Sequence, residues 1–268
     1  MVQTSENLTR VRHRLRGTLR ALRAQRVALA ERDRVAGELQ AAILGTPGPA
    51  TDLNDVRVAV RHLGADGCAQ VGGDWHLFAP LPGGDVLLGV GDVAGHGLAV
   101  TGVMAQLRPA ATALAVAGYG PGDILRVLNT LLLEYMTGAT ATAVVARYQR
   151  SAHELTWASA GHLPILRAGA NGVTPLRQPP GAMLGALPQA RYGDAATVLG
   201  AADLLLMYTD GFVESRGSSV DDGLRAVGDE LGRTLAAAPG DRAGTVVARL
   251  HRRNPDDDAC VLAAEMLR

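Results

Sequence analysis

The sequence predicts an α+β fold, in which one long helix precedes a layered domain of strands and helices. Two observations lead to this class. A charged stretch over residues 8–44 contains no proline and only two glycines, as a long helix requires. Beyond about residue 53, short apolar runs typical of strands are mixed with helical stretches that occur in groups. Such grouping favours an α+β layered domain over a regular alternation of strands and helices.

The chain divides into a helical linker, residues 1–47, and a globular domain, residues 48–268. The break between them is the sequence Thr46-Pro47-Gly48-Pro49, which a helix does not accommodate. A chain of 268 residues is long enough for one good hydrophobic core and an appendage of this kind.

The linker carries apolar residues on a single heptad frame, and Thr18, Gln25 and Arg32 interrupt that frame. Such an interrupted stripe is typical of a weak or regulated homodimer rather than of a stiff coiled coil. The arginines of the segment are interpreted as a solvated helix surface in preference to a site for an acidic partner. The apolar members of the frame are Leu8, Val11, Leu15, Leu22, Leu29, Ala36, Leu39 and Ile43.

The first half of the globular domain predicts two strands and then two helices. Residues 56–60 alternate in the manner of a strand, and residues 86–90 form a nearly continuous apolar run. The apolar, alanine-rich residues 98–117 predict a helix. A second helix is expected over residues 122–136, with Asp123 as its N-cap.

The second half predicts more strands, a loop and a second pair of helices. The proline- and glycine-rich residues 175–188 form the loop, and the helices are expected over residues 224–237 and 242–252. Apolar runs predict strands over residues 139–148, 154–159, 164–167, 204–208 and 259–265.

Four short acidic stretches contain most of the functional information. Three of them place an aspartate beside glycine, close to an apolar run, and the fourth immediately precedes the last strand. Aspartates delivered to strand ends from distant points of the sequence are what a hard cation with oxygen ligands requires. The pattern therefore predicts a metal-dependent hydrolase. The stretches are Gly72-Gly73-Asp74-Trp75, Gly91-Asp92-Val93-Ala94-Gly95-His96-Gly97, Tyr208-Thr209-Asp210-Gly211 and Asp256-Asp257-Asp258.

Each stretch taken alone also has a structural explanation. Asp74 could lie in a turn after two glycines, and Asp92 could cap the helix that follows it. Asp256–Asp258 could be an exposed loop, although three adjacent carboxylates repel one another unless a cation lies among them. Asp210 directly follows the apolar run at 204–208, and a charge there needs a partner or a metal because its desolvation is unfavourable.

Composition excludes several other classes. A net charge of zero gives no reason to expect nucleic acid or an anionic membrane as a partner. Two cysteines, Cys68 and Cys260, are too few for a disulfide framework and match no metal-ligand spacing. No apolar run is long enough to span a bilayer, and the N-terminus lacks the core of a signal peptide. We therefore expect a cytoplasmic protein without membrane insertion.

Taken in order, the motifs GGDW, GDVAGHG, SAGHLP, YTDGFVES and DDDA resemble those of the SpoIIE-like bacterial branch of the PPM phosphatases. These are metal-dependent, protein phosphatase 2C-like serine/threonine phosphatases. The resemblance extends from about Val56 to Leu267. It implies a central antiparallel β-sandwich flanked by helices on both sides, with the metal ions at one end of the sandwich.

The resemblance also implies a role for each matched aspartate. Asp92 would bridge two Mn²⁺ or Mg²⁺ ions, with the backbone carbonyl of Val93 as a ligand of one of them. Asp210 and Asp257 would hold the second ion, and Asp74 would act directly or through water. The implied reaction is in-line attack on phosphorus by a water that two metal ions activate, with Asp92 and Asp210 as catalytic residues.

Two features depart from the family's pattern. Many relatives continue GGDW with an aromatic and then an acidic residue, whereas this chain has His76 and Leu77. The missing acid could weaken the outer metal shell or a third metal position. The last motif contains an additional acid, Asp256, so Asp258 is the alternative to Asp257 as ligand.

Other polar residues in the motifs are expected to have structural roles. His96 and His162 could act as general acids, but hydrogen bonds that orient loops against the backbone explain them better. Glu214 either orders the loop after the third motif or faces solvent. Ser159 has no base at a useful spacing, which argues against serine-hydrolase chemistry.

The implied substrate is a phosphoserine or phosphothreonine on a partner protein, typically an anti-sigma-factor antagonist in a partner-switching pathway. The linker helix would transmit a dimerisation or sensor signal to the domain. Two alternatives remain open. One is a pseudophosphatase that binds without catalysis, for which the His76-Leu77 departure is the only support. The other is a two-metal hydrolase of small phosphate esters, which the lack of a nucleotide-binding fingerprint disfavours.

Overall fold

The structure, a computed structural model, describes most of the chain. The predicted break at Thr46–Pro49 and the cysteine Cys68 lie outside the described residues. The side chains of residues 2–15, 32, 33, 36, 40 and 41 are likewise not described. The described ranges are 2–45, 50–64, 72–215, 217–237 and 240–268.

Five helices and eleven strands follow one another in the described ranges. The helices are α1 (Val2–Leu44), α2 (Leu98–Val116), α3 (Pro121–Tyr135), α4 (Val220–Ala236) and α5 (Arg242–Arg249). The strands are β1 (Thr51–Leu53), β2 (Val56–Leu63), β3 (Asp74–Pro80), β4 (Val86–Val93), β5 (Ala141–Gln149), β6 (Glu154–Ala160), β7 (Leu166–Gly169), β8 (Gly172–Pro175), β9 (Ala195–Val198), β10 (Leu204–Tyr208) and β11 (Ala259–Met266).

The strands form two sheets in which every pair of neighbours is antiparallel. Sheet A has the order β1-β2-β11-β10-β7-β8, and sheet B has the order β3-β4-β5-β6-β9. The last strand, β11, lies between β2 and β10, so the two ends of the globular domain meet in the centre of sheet A.

Three hydrophobic layers hold the sheets and helices together. The middle layer lies between the sheets and contains Leu88, Trp157 and Leu262. A second layer joins sheet B to α2 and α3, and a third joins sheet A to α4 and α5. The predicted α+β class and the sandwich flanked by helices on both sides are therefore confirmed.

The alternation of side chains along β3 decides what faces each layer. Trp75 and Leu77 point toward α2 and α3, where both are fully buried. Asp74, His76 and Phe78 occupy the other face, toward sheet A. One strand thus places a carboxylate and an imidazole between the two sheets.

Most predicted elements are confirmed, with shifts at their ends. The helix predicted from residue 224 begins at Val220, where the hydroxyl of Ser219 accepts a hydrogen bond from the Asp222 amide. Asp123 is not the N-cap of α3 but lies in its first turn, after the cap residue Gly120. The strands β1, β3, β8 and β9 were not predicted, because they are short or, in β3, carry polar residues on their buried face.

The helix α1 is attached to the domain at its C-terminal end. Leu44 is buried in the layer formed by α2 and α3, whereas Leu22, Leu29 and Leu39 of the heptad frame are exposed. In the described parts of the chain, no helix has the length and apolar character needed to cross a membrane.

Candidate active site

Strands β3 and β4 bring the first two acidic motifs together. The two strands are antiparallel, and their register places Asp74 directly opposite Asp92. Asp74 begins β3 and is buried, while Asp92 lies one residue before the end of β4 and is half-buried. Two carboxylates that are 18 residues apart in sequence therefore become neighbours at one end of the sandwich.

Glycines make this close approach sterically feasible. The Val93 amide donates a hydrogen bond of 3.0 Å to the Gly73 carbonyl. A Cβ atom on Gly73 would lie only 1.9 Å from the Val93 carbonyl oxygen and 2.6 Å from Oδ1 of Asp92. Gly91 likewise receives the ring of Trp75, from which an added Cβ would lie 2.5 Å away. The GGDW and GDV motifs are thus two halves of one packed unit.

Sheet A brings the other two acidic motifs to the same end. Asp210 follows β10, and Asp257 and Asp258 precede β11, which is the antiparallel neighbour of β10. The loop before β11 is fixed by two backbone amides, those of Arg253 and Asn254, which both donate to the Gly211 carbonyl at 3.0 Å.

The last motif lies directly against the first. An added Cβ on Gly72 would lie 1.4 Å from Oδ2 of Asp258, so only glycine leaves room for this carboxylate. The Asp258 amide donates to Oδ1 of Asp257 at 2.9 Å, which orients the two acids relative to each other. All four motifs therefore meet at one end of the sandwich, where the resemblance to the PPM phosphatases places the metal ions.

Burial and mutual repulsion make the carboxyl groups of Asp74 and Asp92 weaker acids than an exposed aspartate. Burial, followed by the charge of Asp92, raises the pKa of Asp74 well above its ordinary value. Burial, followed by the charges of Asp210, Asp257 and Asp258, raises the pKa of Asp92 to about 7. Among the described residues, the charges acting on Asp92 all come from carboxylates, so a cation would relieve the repulsion.

Both candidate ligands of the last motif lie within electrostatic reach of the other acids. Burial, and then the charges of Asp257 and Glu214, raise the pKa of Asp210 to about 6. Asp257 and Asp258 both contribute to the raised pKa of Asp92, and Asp258 also contributes to that of Asp74.

Thr209 is a member of the site that sequence reasoning missed. Its hydroxyl donates a 2.6 Å hydrogen bond to Oδ2 of Asp74 and accepts one of 2.8 Å from the Cys260 amide. This buried hydroxyl joins the two sheets beneath the carboxylates and opposes the rise in the pKa of Asp74. Its position directly before Asp210 in the YTDG motif was the available signal.

The expectation for His162 is confirmed. It is buried between the sheets, with Nε2 3.1 Å from the Tyr208 carbonyl and Nδ1 2.8 Å from the Thr142 hydroxyl. Burial lowers the pKa of His162 to about 4, so the ring is neutral and Nε2 is the donor to the carbonyl. His162 therefore positions the strand end from which Asp210 projects.

Other polar residues of the motifs fit the predictions less closely. His96 is exposed, and no hydrogen bond joins its ring to a described residue, so the predicted bond to backbone is not seen. Glu214 is exposed, but its charge contributes to the raised pKa of Asp210. The Ser159 hydroxyl accepts a hydrogen bond from the His162 amide, which is a structural role.

The departure at residue 77 lies on the far side of β3. Leu77 is packed in the layer between sheet B and the helices α2 and α3. Since side chains alternate along a strand, residue 77 points away from the face that carries Asp74. The replacement of an acid by Leu77 therefore leaves the group of aspartates complete.

The aspartates provide the donor set that Mn²⁺ or Mg²⁺ prefers, since all their ligand atoms are oxygens. They do not form a closed cage: within the described residues, no three of these acids have ligand oxygens all within 4.8 Å of one another. The carboxylates fit divalent ions by their chemistry and by their convergence at one end of the sandwich.

A separate groove lies at the other end of β10. It is lined by Arg167, Asn171, Thr174 and Asp203, among others. Asp203 precedes β10 while Asp210 follows it, so the groove and the aspartates are at opposite ends of the strand. Arg167 of β7 donates to Asp203 at 2.8 Å, so this ion pair joins β7 to the start of β10.

Comparison with known families identifies the domain. The family described as Stage II sporulation protein E (SpoIIE) matches residues 82–267, which is more than half of the chain. The chain belongs to the SpoIIE family. The matched range contains the motifs from GDVAGHG onward, and GGDW lies just before it.

Individual relatives agree with this membership. The Phosphoserine phosphatase RsbU of Bacillus subtilis (strain 168) is 25% identical over 187 residues, covering 68% of this chain and 53% of RsbU. This SpoIIE-family chain thus spans about half the length of that curated relative.

Solved structures share the fold. The RsbU and RsbW domains of Rv1364c from Mycobacterium tuberculosis superpose with a TM-score of 0.66 at 26% identity, covering 81% of this chain and 60% of that one. The SiaA-PP2C domain of Pseudomonas aeruginosa gives a TM-score of 0.66 at 20% identity, covering 91% of this chain and 98% of that one. The fold is that of the PPM phosphatases.

Proposed function

We propose that this chain is a Mn²⁺- or Mg²⁺-dependent phosphatase that hydrolyses phosphoserine or phosphothreonine on a partner protein. The observation that carries the proposal is the convergence of Asp74, Asp92, Asp210 and Asp257 from both sheets at one end of the sandwich. Buried like charges of this kind are typical of functional sites, because their mutual repulsion destabilises the fold unless a bound cation offsets it.

Two divalent ions are proposed to bind among these residues. Asp92 and the Val93 carbonyl would hold one ion, Asp210 and Asp257 the other, with Asp92 shared and Asp74 acting directly or through water. When bound, such ions neutralise charge on a phosphoryl group and lower the pKa of water.

The chain's own residues supply positioning. The Thr209 hydroxyl donates to Oδ2 of Asp74 and so fixes the orientation of that carboxylate. His162 fixes the end of β10 through the Tyr208 carbonyl. Gly73 allows Asp92 and Val93 to lie against the first motif. Asp74 is almost completely buried, whereas Asp92 and Asp210 are half-buried and partly exposed to solvent.

The substrate class rests on the family. RsbU is a phosphoserine phosphatase by its name, and the SpoIIE-like branch implies an anti-sigma-factor antagonist as substrate in a partner-switching pathway. The proposed setting is the cytoplasm, where such partners operate.

Hydrolysis of p-nitrophenyl phosphate with and without Mn²⁺ tests the proposal. Asp92→Asn and Asp210→Asn should each lower the metal-dependent rate by at least about 100-fold, because each removes a charge from the centre of the site. Asp256→Asn is the matched control, since it removes one charge from the same motif and leaves Asp257 and Asp258 in place. Comparison of Asp257→Asn with Asp258→Asn identifies the ligand of the last motif.

Two results would redirect the proposal. Absence of metal-dependent turnover in the wild type would favour the pseudophosphatase, although Leu77 on the far face of β3 argues against it. Faster turnover of small phosphate esters than of phosphoserine peptides, in a parallel screen, would favour the small-ester hydrolase.

We further propose that α1 controls the alignment of the aspartates. Arg108 of α2 donates to the Ile43 carbonyl at the end of α1 and, at 2.7 Å, to the His76 carbonyl of β3. One guanidinium thus connects α1 to the strand that begins with Asp74. Arg108→Met should change the hydrolysis rate several-fold, whereas Arg126→Met, which removes only an exposed pair with Asp123, should not. Equal rates in all three proteins would contradict the coupling.

The exposed heptad residues of α1 are proposed to pair with a second copy of the chain. Leu22, Leu29 and Leu39 present an apolar stripe that the chain's own domain does not cover. Sedimentation equilibrium should show a dimer that dissociates in the Leu22→Asp/Leu29→Asp variant. A monomer at all concentrations of the wild type would contradict this pairing.

A further inference from the structure

A second group of metal-ligand side chains lies next to the aspartates. His62 on β2, His76 on β3 and Cys260 on β11 have ligand atoms that all lie within 4.8 Å of one another. Nε2 of His62 is 2.6 Å from Nδ1 of His76 and 3.3 Å from Sγ of Cys260. Among the described residues, no other group of three histidine, cysteine, aspartate or glutamate side chains brings its ligand atoms this close together.

The fold, not the sequence spacing, builds this group. His62 and Cys260 are cross-strand partners in sheet A, and His76 reaches them from sheet B. His76 and Cys260 are buried, and His62 is half-buried. Three strands from two sheets therefore converge on one small volume, in which His62 is the most exposed of the three residues.

The donor atoms differ in kind from those of the aspartate site. Two imidazole nitrogens and one thiolate suit a borderline-soft ion such as Zn²⁺, whereas Mg²⁺ and Mn²⁺ prefer oxygen. From these observations we propose that His62, His76 and Cys260 form a second metal site, which binds Zn²⁺ through three protein ligands. A water molecule would complete the tetrahedron from the half-buried side of His62. The proposal does not depend on the phosphatase activity.

The geometry requires only a small adjustment. Zn–N distances of about 2.0–2.1 Å place two ligand nitrogens of a tetrahedral site about 3.4 Å apart. The nitrogens of His62 and His76 are 2.6 Å apart, so their rings must separate by less than about 1 Å. The Sγ to Nε2 distance of 3.3 Å is already close to what zinc requires.

Binding would also balance in protons. The Cys260 thiol would lose its proton to solvent as the sulfur binds zinc, and the two imidazoles would bind through the ring nitrogens that already lie close together.

Cobalt provides a direct spectroscopic test, because Co²⁺ bound to a thiolate shows a charge-transfer absorption that oxygen ligands do not give. The metal-free full chain is titrated with Co²⁺ in excess Mg²⁺, which occupies the oxygen sites. The band should appear in the wild type and disappear on addition of Zn²⁺. Cys68→Ser, the matched control at the other cysteine, should retain it, and Cys260→Ser should lose it.

Two further measurements test the two histidine ligands and the folding of the variants. His76→Gln and His62→Gln should each weaken Co²⁺ binding at least tenfold, and Zn²⁺ should raise the melting temperature of the wild type and of Cys68→Ser only. Melting of each metal-free variant shows whether it is folded, and His62→Gln decides the matter if Cys260→Ser is not. No band in the wild type, or a band lost in Cys68→Ser and retained in Cys260→Ser, would overturn the proposal.

Discussion

The space between the two sheets is apolar in its middle and acidic at one end, although the same strands line both regions. On β4, Val86, Leu88 and Val90 face the opposite sheet, and Asp92 follows two residues later on the same face. In the middle, burial of apolar side chains stabilises the fold, whereas at the acidic end burial strengthens the repulsion between carboxylates. The comparison indicates that the middle of the sandwich supplies the stability that holds the acids together.

The largest expected effect concerns the glycine that joins the two acidic strands. Gly73→Ala should lower the metal-dependent hydrolysis rate by about 100-fold, because its Cβ would overlap the Val93 carbonyl and displace Asp92. Kinetics with p-nitrophenyl phosphate and Mn²⁺ measures the loss.

Gly102→Ala is the control for this change. Gly102 lies within α2 with no atom near its added Cβ, so alanine should leave the rate unchanged and stabilise the helix by about 0.5–1 kcal/mol. Equal rates for Gly73→Ala and the wild type would show that the close approach is unnecessary for function.

A substitution in the apolar middle of the sandwich should lower the stability of the fold, whereas Gly73→Ala lowers the hydrolysis rate. Leu262→Ala removes a fully buried side chain between the sheets and should lower the free energy of unfolding by about 2–5 kcal/mol. Urea unfolding measures this loss, with Leu187→Ala, at an exposed position, as the control. If Leu262→Ala kept full stability while losing Mn²⁺ affinity, the division between the two regions would be wrong.

The smallest effect is a gain in stability from removing a site residue. The pKa of Asp210 is raised to about 6, so the folded state holds its proton more tightly than the unfolded state. This contribution is present below pH 4 and is lost as the pH rises through about 6. Metal-free Asp210→Asn should therefore be more stable than the wild type at pH 8, by on the order of 1 kcal/mol because the group is partly exposed.

The difference should vanish near pH 4 and reverse at pH 8 when Mn²⁺ is saturating. Thermal melting of both proteins under these conditions checks the sign. A wild type that is more stable than Asp210→Asn at pH 8 without metal would show that the acids do not repel one another.

Part of the site could be predicted because Asp74, Asp92 and Asp210 stand beside glycines near strand ends. The resemblance to the PPM phosphatases added Asp257, with Asp258 as the alternative, and the structure brings both acids to the same end as the other three. Thr209 could not be assigned, because its bond to Asp74 depends on how one sheet lies over the other. The helix α1 could be predicted from its heptad frame, but its hydrogen bond to Arg108 could not.

The group of His62, His76 and Cys260 shows the same limit more clearly. Their sequence spacing matches no metal motif. They come together only because β2 pairs with β11 and β3 packs against these two strands. The strand β3 itself was missed because polar residues on its buried face disguise an apolar pattern. Contacts within a motif are readable from sequence, whereas contacts between sheets require the fold.

The acidic end of the sandwich is proposed to hold divalent cations, and calorimetric titration of the metal-free chain with Mn²⁺ tests this most directly. We expect Mn²⁺ binding by the wild type and by Asp256→Asn, and at least tenfold weaker binding by Asp92→Asn, which removes a carboxyl group whose pKa burial and the other acids raise. Equal Mn²⁺ affinity in the wild type and in Asp92→Asn would contradict it.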